Sequence, residues 1–319
     1  MLKVRFLKSS GNIEDDSKIN HYADMSKSQF IDIYLPSNRE YQIVEEKDEA
    51  DICICGTQHT DNSLLRKNEL NIFYTVENFS VGRTHYQHFN KFGRYDNPMI
   101  DLYIYNDVTI PRNNTIPAIY QRINYFNKLN DINNKLYYEK VREFYNKLDC
   151  PYSEKKFCLF ISQNMLNPIK MVALKLLSQI GPIHSLQAIA KTNKELQAVN
   201  CYNSYELLKL FNQYKFIICF ENSNTKGYIT EKIFNVFLAK SIPIYDGDPE
   251  VDRFINRDSY LAFDDNLISK INLLNNNESE YNKMINVYKS YKLDNAFIEK
   301  NFDNLLKKKY LNNVYEKNK

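Results

Sequence analysis

The chain has 319 residues, room for about two domains at roughly 150 residues each, which excludes a small scaffold held by disulfides or a metal. Hydrophobic residues at 43% and charged residues at 25% are ordinary for a folded globular protein and exclude global disorder or a fibrous repeat. With 42 Lys and Arg against 39 Asp and Glu the net charge is +3, too balanced for a dedicated nucleic-acid binder, so any basic site is local.

The first half reads as strands separated by polar connections: Lys3 to Leu7, Asp51 to Gly56, Asn71 to Glu77 and Ile100 to Tyr105. A candidate helix spans Lys27 to Leu35, and this alternation predicts an α/β layer with a largely parallel sheet. Asn124 to Leu148 is polar with helical spacing and ends at Cys150-Pro151, where proline disfavours helix for the residue before it. The expected domains are therefore 1–150 and 151–319.

A second αβ series opens with the strand Lys156 to Ser162, followed by Asn167-Pro168 and a helix to about Ile180. Strand Ile183 to Leu186, helix Ser204 to Gln213, strand Lys215 to Phe220, helix Tyr228 to Ala239 and strand Ile242 to Tyr245 follow. The tail is helical by pattern from about Glu280 and carries Lys307, Lys308 and Lys309 on what reads as a solvated face.

No window approaches the ~18 consecutive apolar residues of a membrane span, and the start of the chain lacks a signal-peptide apolar core. The expectation is a cytoplasmic or otherwise soluble protein. Six cysteines, at 53, 55, 150, 158, 201 and 219, include several in apolar strand-like runs where a reduced thiol is the common state.

The most informative stretch runs from Lys215 to Pro249, joining a buried strand, a polar loop, an amphipathic helix and a second strand. Ligands of open α/β sheets gather outside the carboxyl ends of strands, where amides at the following helix start attract phosphate oxygens. With the helix begun at Tyr228, Ile229, Ile233, Val236 and Phe237 share one side, while Tyr228, Glu231 and Asn235 share the other, with Lys232 near its border. Spacing alone leaves open whether that polar face is solvated or ligand-bearing.

Phe220-Glu221-Asn222, Gly227-Tyr228-Ile229-Thr230-Glu231-Lys232-Ile233 and Ile242-Pro243-Ile244-Tyr245 together resemble the donor-binding signature of the α1,3/4-fucosyltransferases, glycosyltransferase family 10. The likeness is strongest over 215–262 and extends to Phe73-Tyr74-Thr75-Val76-Glu77-Asn78 and to the segment from Phe160 to Lys170. It implies an α/β fold of GT-B type, two Rossmann-like domains facing a central cleft, the first for the acceptor and the second for GDP-fucose. It also implies an inverting fucosyltransferase acting on a glycan hydroxyl, α1,3 or α1,4 to GlcNAc of a Gal-GlcNAc acceptor.

On that resemblance Asn222, Tyr228, Glu231 and Lys232 line the donor, with Lys232 stabilising the departing diphosphate. Lys170 stands where the family has an arginine, keeping the charge without the planar fork. Glu77 resembles the family's base, which takes the acceptor proton, whereas spacing alone favours a carboxylate that caps the next turn or pairs with a lysine. Glu221 has a functional reading, orienting the loop or touching fucose hydroxyls, and a structural one, a buried carboxylate capping nearby N–H groups. Donor screening separates this reading from a GT-B transferase using another nucleotide sugar; the further alternatives are a transferase making another fucosyl linkage and a non-catalytic glycan- or nucleotide-binding relative.

No cofactor and no obligatory metal are expected. Asp246-Gly247-Asp248 spells the Asp-x-Asp pattern of metal-dependent GT-A enzymes, but Asp-Gly-Asp also makes a turn, which is the reading preferred here. His85 and His88 could face one way on a helix, yet no third ligand accompanies them. Gly-x-x-x-x-Gly-Lys-Ser/Thr and Gly-x-Ser-x-Gly motifs are absent, which weighs against an ATPase, a kinase or a serine hydrolase.

Overall fold

The computed structural model describes residues 1–7, 13–14, 25–36, 39–56, 62–74, 97–105, 115–117, 139–161, 168–187, 189, 205–287, 289 and 302–309. They form two compact units, the first holding the described residues to 117 together with 302–309, the second those from 139 to 289.

In the first unit the elements are β1 (Leu2–Phe6), β2 (Ile13–Glu14), β3 (Met25–Ser26), α1 (Lys27–Tyr34), β4 (Tyr41–Val44), β5 (Ile52–Gly56), β6 (Leu70–Tyr74), β7 (Leu102–Tyr105) and β8 (Thr115–Pro117). Six strands make a parallel sheet in the order β4-β1-β5-β6-β7-β8, while β2 and β3 pair separately. β5 shows why such strands read as unbroken apolar runs. Ile52 and Ile54 pack on one face with Val4, Phe30 and Ile72, while Cys53 and Cys55 pack on the other with Phe73 and Tyr103. The edge strand β4 has no such signature, because its middle residues are exposed.

The second unit contains α2 (Glu139–Lys147), β9 (Lys156–Phe160), α3 (Pro168–Leu177), β10 (Ile183–Ser185), α4 (Tyr205–Asn212), β11 (Tyr214–Ile218), α5 (Glu231–Leu238), β12 (Ile242–Tyr245), β13 (Leu261–Ala262), α6 (Leu267–Asn276) and α7 (Glu278–Asn286). Its parallel sheet runs β10-β9-β11-β12-β13. After β9 the chain goes outward to β10 and returns to build from the other side of β9, so the order reverses between β9 and β11. That reversal is a topological switch point, the place where open α/β sheets open a crevice at their carboxyl ends.

Two α/β units with parallel sheets are the expected fold class. Their membership differs from the division at 150/151. α2 belongs with the second unit: Phe144 packs on Tyr205 with ring centroids 4.7 Å apart, and Lys240 Nζ donates to the Leu148 carbonyl at 2.7 Å. The C-terminal helix α8 (302–309), expected with the second domain, buries Phe302 and Leu306 in the first unit's core. Arg39 and Lys309 anchor it through ion pairs, to Asp303 at 2.7 Å and to Asp101 at 2.7 Å.

Helix α5 starts at Glu231, three residues later than its apolar spacing suggests, because Thr230 is the N-cap with extended backbone. Asn235, assigned to the polar face, is buried. Among the described residues no helix is long and apolar enough to cross a membrane, and the described cysteines 53, 55, 150, 158 and 219 are free thiols.

Candidate functional site

β11 ends at Ile218, and the chain continues through Cys219, Phe220 and Glu221 into the loop that leads to α5. Gly227 in this loop has φ 80°, a left-handed conformation that suits glycine. Beyond it, the Thr230 side chain caps α5 while its backbone N–H donates to Glu221 Oε1 at 2.8 Å. The Thr230 hydroxyl lies 2.8 Å from Glu221 Oε2 and 2.9 Å from Oε1. Lys232 Nζ then donates to Glu221 Oε2 at 2.7 Å and to Thr230 Oγ1 at 3.0 Å.

Glu221 is wholly enclosed, whereas 12% of the Lys232 side chain remains exposed. Burial works against the Lys232 ammonium, but the charges of Glu221 and Glu231 and the nearby Tyr228 outweigh it and hold its pKa above the ordinary lysine value. Burial pushes the Glu221 carboxyl up, opposed by Lys232. Lys232 is thus a firmly protonated cation in the first turn of α5, where the helix start adds its own partial positive charge.

The loop after β12 supports this arrangement. The Glu221 N–H donates to the Asp246 carbonyl at 2.8 Å, and Asn224 Nδ2 donates to both Asp246 carboxylate oxygens at 3.2 Å. Asp248 is buried; its Oδ2 accepts from the Gly227 N–H at 2.9 Å and its Oδ1 from the Glu250 N–H at 2.8 Å. Lys226 adds an ion pair with Glu250. Gly247 is required between the two aspartates, since a Cβ there would lie 2.5 Å from Tyr245 Oη and 2.7 Å from Glu221 Cγ. The Asp-Gly-Asp segment therefore works as a clamp on the β11–α5 loop, its carboxylates taken up by N–H donors, and the turn itself follows it at Pro249 and Glu250. Among the described residues no group of three His, Cys, Asp or Glu side chains is arranged to hold a metal.

Lys170 sits in the first turn of α3, the helix after β9, and is completely buried. It lies close enough to Asp246 for its charge, with the Asn224 hydrogen bonds, to oppose the upward push of burial on that carboxyl. The two helices that follow the switch-point strands thus each carry a lysine in their first turn.

Six of the seven singled-out residues, Lys170, Glu221, Asn222, Tyr228, Glu231 and Lys232, come together at the carboxyl edge of one sheet. Asn222 is half-buried, Tyr228 is buried beside Lys232 in the loop before α5, and Glu231 opens that helix. Of the two readings of Glu221, the structure shows the buried carboxylate capping a neighbouring N–H. Glu77, His85 and His88 lie outside the described residues. Thr230, Asp246, Gly247 and Asp248 hold the site together; the Thr-Glu step at the start of an apolar-periodic run signals the first locally, and the Asp-Gly-Asp pattern marks the other three without showing what they hold.

A doubly wound α/β unit with cations at its switch-point edge defines a class of protein that receives anionic ligands there. Residues 151–313, just over half of the chain, match the family described as glycosyltransferase family 10 (fucosyltransferase) C-term, and the chain belongs to that family. Over 138 residues it is 31% identical to the alpha-(1,3)-fucosyltransferase FucT of Helicobacter pylori, covering 41% of this chain and 27% of that protein. It is 34% identical over 102 residues to alpha-(1,3)-fucosyltransferase B of Drosophila melanogaster, covering 30% of this chain and 22% of the relative. The match thus spans about a quarter of these relatives' length. The fold is shared with a crystal structure of an alpha1,3-fucosyltransferase, also solved with GDP-fucose, at a TM-score of 0.59 and 22% identity, covering 96% of this chain and 90% of that one.

Proposed function

We propose that this chain is an inverting fucosyltransferase that moves L-fucose from GDP-fucose to a hydroxyl of an acceptor glycan, α1,3 or α1,4 to GlcNAc of a Gal-GlcNAc unit. The observation that carries this reading is Lys232 at the start of α5, its ammonium paired with Glu221 at 2.7 Å and its side chain partly exposed, inside the region that matches the family. As the bond from fucose C1 to the β-phosphate oxygen breaks, negative charge grows on the diphosphate. A fixed ammonium and helix-start amides beside it lower the barrier without reorganising.

Lys170 is assigned as a second donor-site cation in place of the family's arginine, with Asn222, Tyr228 and Glu231 positioning the nucleotide sugar. Glu77 is assigned as the base that takes the acceptor hydroxyl proton, so attack opposite the leaving group converts β-linked fucose into α-linked product. No metal is required in this scheme, a reading supported by the engagement of Asp246 and Asp248 with N–H donors.

Incubation with GDP-fucose and a panel of N-acetyllactosamine, lacto-N-biose and lactose, with linkage read by NMR, tests donor, reaction and regiochemistry together. An α1,3- or α1,4-fucosylated product whose yield survives EDTA is expected. Absence of transfer from GDP-fucose, with transfer from another nucleotide sugar, overturns the assignment.

A further inference from the structure

A lysine ammonium has three N–H donors, and two of those on Lys232 are committed, one to Glu221 Oε2 at 2.7 Å and one to Thr230 Oγ1 at 3.0 Å. The third has no acceptor among the described residues, and 12% of the Lys232 side chain remains exposed. The two partners are themselves fixed. Glu221 Oε1 accepts the Thr230 N–H, its own N–H is tied to the Asp246 carbonyl, and its Cγ lies against the backbone of Gly247, where no side chain fits. The carboxylate is therefore locked from three directions before any ligand arrives, and the ammonium has one donor left to offer.

We propose that Glu221 is a positioning residue for glycosyl transfer: it does not touch the sugar nucleotide but aims the remaining N–H of Lys232 at the departing diphosphate and keeps that ammonium charged. The inference rests on the donor-site reading above and assigns Glu221 a different part in it. When the bond from C1 to the β-phosphate oxygen breaks, the electron pair stays on that oxygen, which accepts the Lys232 hydrogen bond; the proton stays on Lys232. Glu221 reduces the net charge of the site, yet an unpaired ammonium so enclosed would lose its proton more readily than an ordinary lysine. The charged groups around Lys232 are Glu221 and Glu231 with Tyr228 nearby, and those around Glu221 are Lys232 and Glu231 with Tyr245 and Cys219. Among the described residues Glu231, on α5 itself, is the other carboxylate whose charge acts on both, while Asp246 and Asp248 of the loop after β12 pack against the same loop with their carboxylates on N–H donors.

The test is a double-mutant cycle on the full chain, reading GDP release from GDP-fucose with N-acetyllactosamine present and GDP affinity by calorimetry. Glu221→Gln is expected to lower kcat by about 10²-fold. Its rate should fall away as pH rises past roughly 8 to 9, where the unmodified chain holds its rate. In a Lys232→Met background the same substitution should change kcat less than about twofold, because its target is gone. Should Glu221→Gln fail to fold, the comparison of Lys232→Met with the double variant, which buries neither charge, decides the matter.

An unchanged kcat and pH profile in Glu221→Gln, or an equal loss in both backgrounds, overturns the positioning role and leaves the donor site standing. Failure of the unmodified chain to bind GDP overturns the donor-site reading, and this role with it.

Discussion

Each unit buries a carboxylate against a cation, and the two pairs are built differently. In the first, Arg5 and Glu69 are enclosed alike, 1% and 0% exposed, with the guanidinium forked onto the carboxylate at 2.5 to 3.0 Å. The Glu46 and Leu64 carbonyls take further Arg5 N–H groups, and Arg66 gives Glu69 a second cation. In the second unit Glu221 is as deeply buried, but the Lys232 side chain is partly exposed and, among the described residues, only two of its ammonium donors are engaged. A closed, satisfied pair specifies packing, whereas a pair open on its cationic side is poised for an anion. The residue types agree with this difference: the planar fork of Arg suits a closed bidentate contact, and the three directions of an ammonium suit sharing between protein and ligand.

The sharpest way to break the comparison is to remove the closed cation. Arg5→Met leaves Glu69 buried with only the partly exposed Arg66, and is expected to cost about 3 to 5 kcal/mol of stability. Denaturant unfolding followed by circular dichroism measures it. Arg5→Met with Glu69→Leu should recover most of the loss, since replacing both charges by apolar groups is often neutral. Turnover per folded molecule should not change in either variant. A fall in turnover without a fall in stability would erase the distinction between the two pairs.

Gly247 sharpens the comparison from the other side. Gly247→Ala places a methyl 2.7 Å from Glu221 Cγ and 2.5 Å from Tyr245 Oη, so one of them must shift. Overpacking of this kind costs about 1 to 3 kcal/mol. If Glu221 moves, Lys232 moves with it, and kcat should fall while the first unit's unfolding is unaffected. Limited proteolysis of the two units, alongside GDP-fucose turnover, separates the outcomes. Full activity in Gly247→Ala would mean that the lock on Glu221 is not needed.

The legible and the illegible follow the same physics. β5, β9, β11 and β12 stand out in the sequence because parallel strands covered on both faces are apolar throughout. β4 escapes notice because only four residues long and exposed in the middle it has no period, and its place comes from pairing with β1. α6 escapes because the Asn-rich patch at its end masks Leu267, Ile271 and Leu274, which recur on one face and are all buried. The start of α5 is misjudged because apolar spacing runs back through Ile229, and only the Thr230 cap marks the true boundary. At the site the lysines and the loop are visible, but the partnership of Glu221 with Lys232 spans eleven residues and a loop, and requires the turn after β12 to close beneath it. Nor does local pattern show that residues 302–309 return to the first unit, where Arg39 meets Asp303 across 264 positions of chain.

A half-buried cation tests the rule by having backbone carbonyls in place of a carboxylate. Lys155 precedes β9, and its ammonium is held by the backbone carbonyls of Asn212 and Lys240. Burial lowers its pKa to about 8, with Lys240 adding to the fall and Cys150 opposing it, the reverse of Lys232 with its carboxylate. Lys289, against the Phe237 ring with its ammonium on the Met284 carbonyl, is likewise lowered by burial to about 8. An unfolded lysine titrates near ~10.4, so between about pH 8 and 10 the unfolded chain binds more protons than the native one. These lysines should therefore make stability rise with pH across that window. Above ~10 the trend should turn over, because burial raises Tyr260 and Tyr281 in the folded chain while the unfolded tyrosines ionise. Burial pushes the thiols of Cys53, Cys55, Cys158 and Cys219 up, and because unfolded thiols ionise near ~8.5 they act the other way over this window. The lysine contribution is therefore read as a difference: urea midpoints from pH 7.5 to 10 should gain more with rising pH in the unmodified chain than in Lys155→Met. A Lys155→Met curve parallel to that of the unmodified chain would mean that Lys155 keeps its proton without an anion, and the contrast with Lys232 would no longer depend on Glu221.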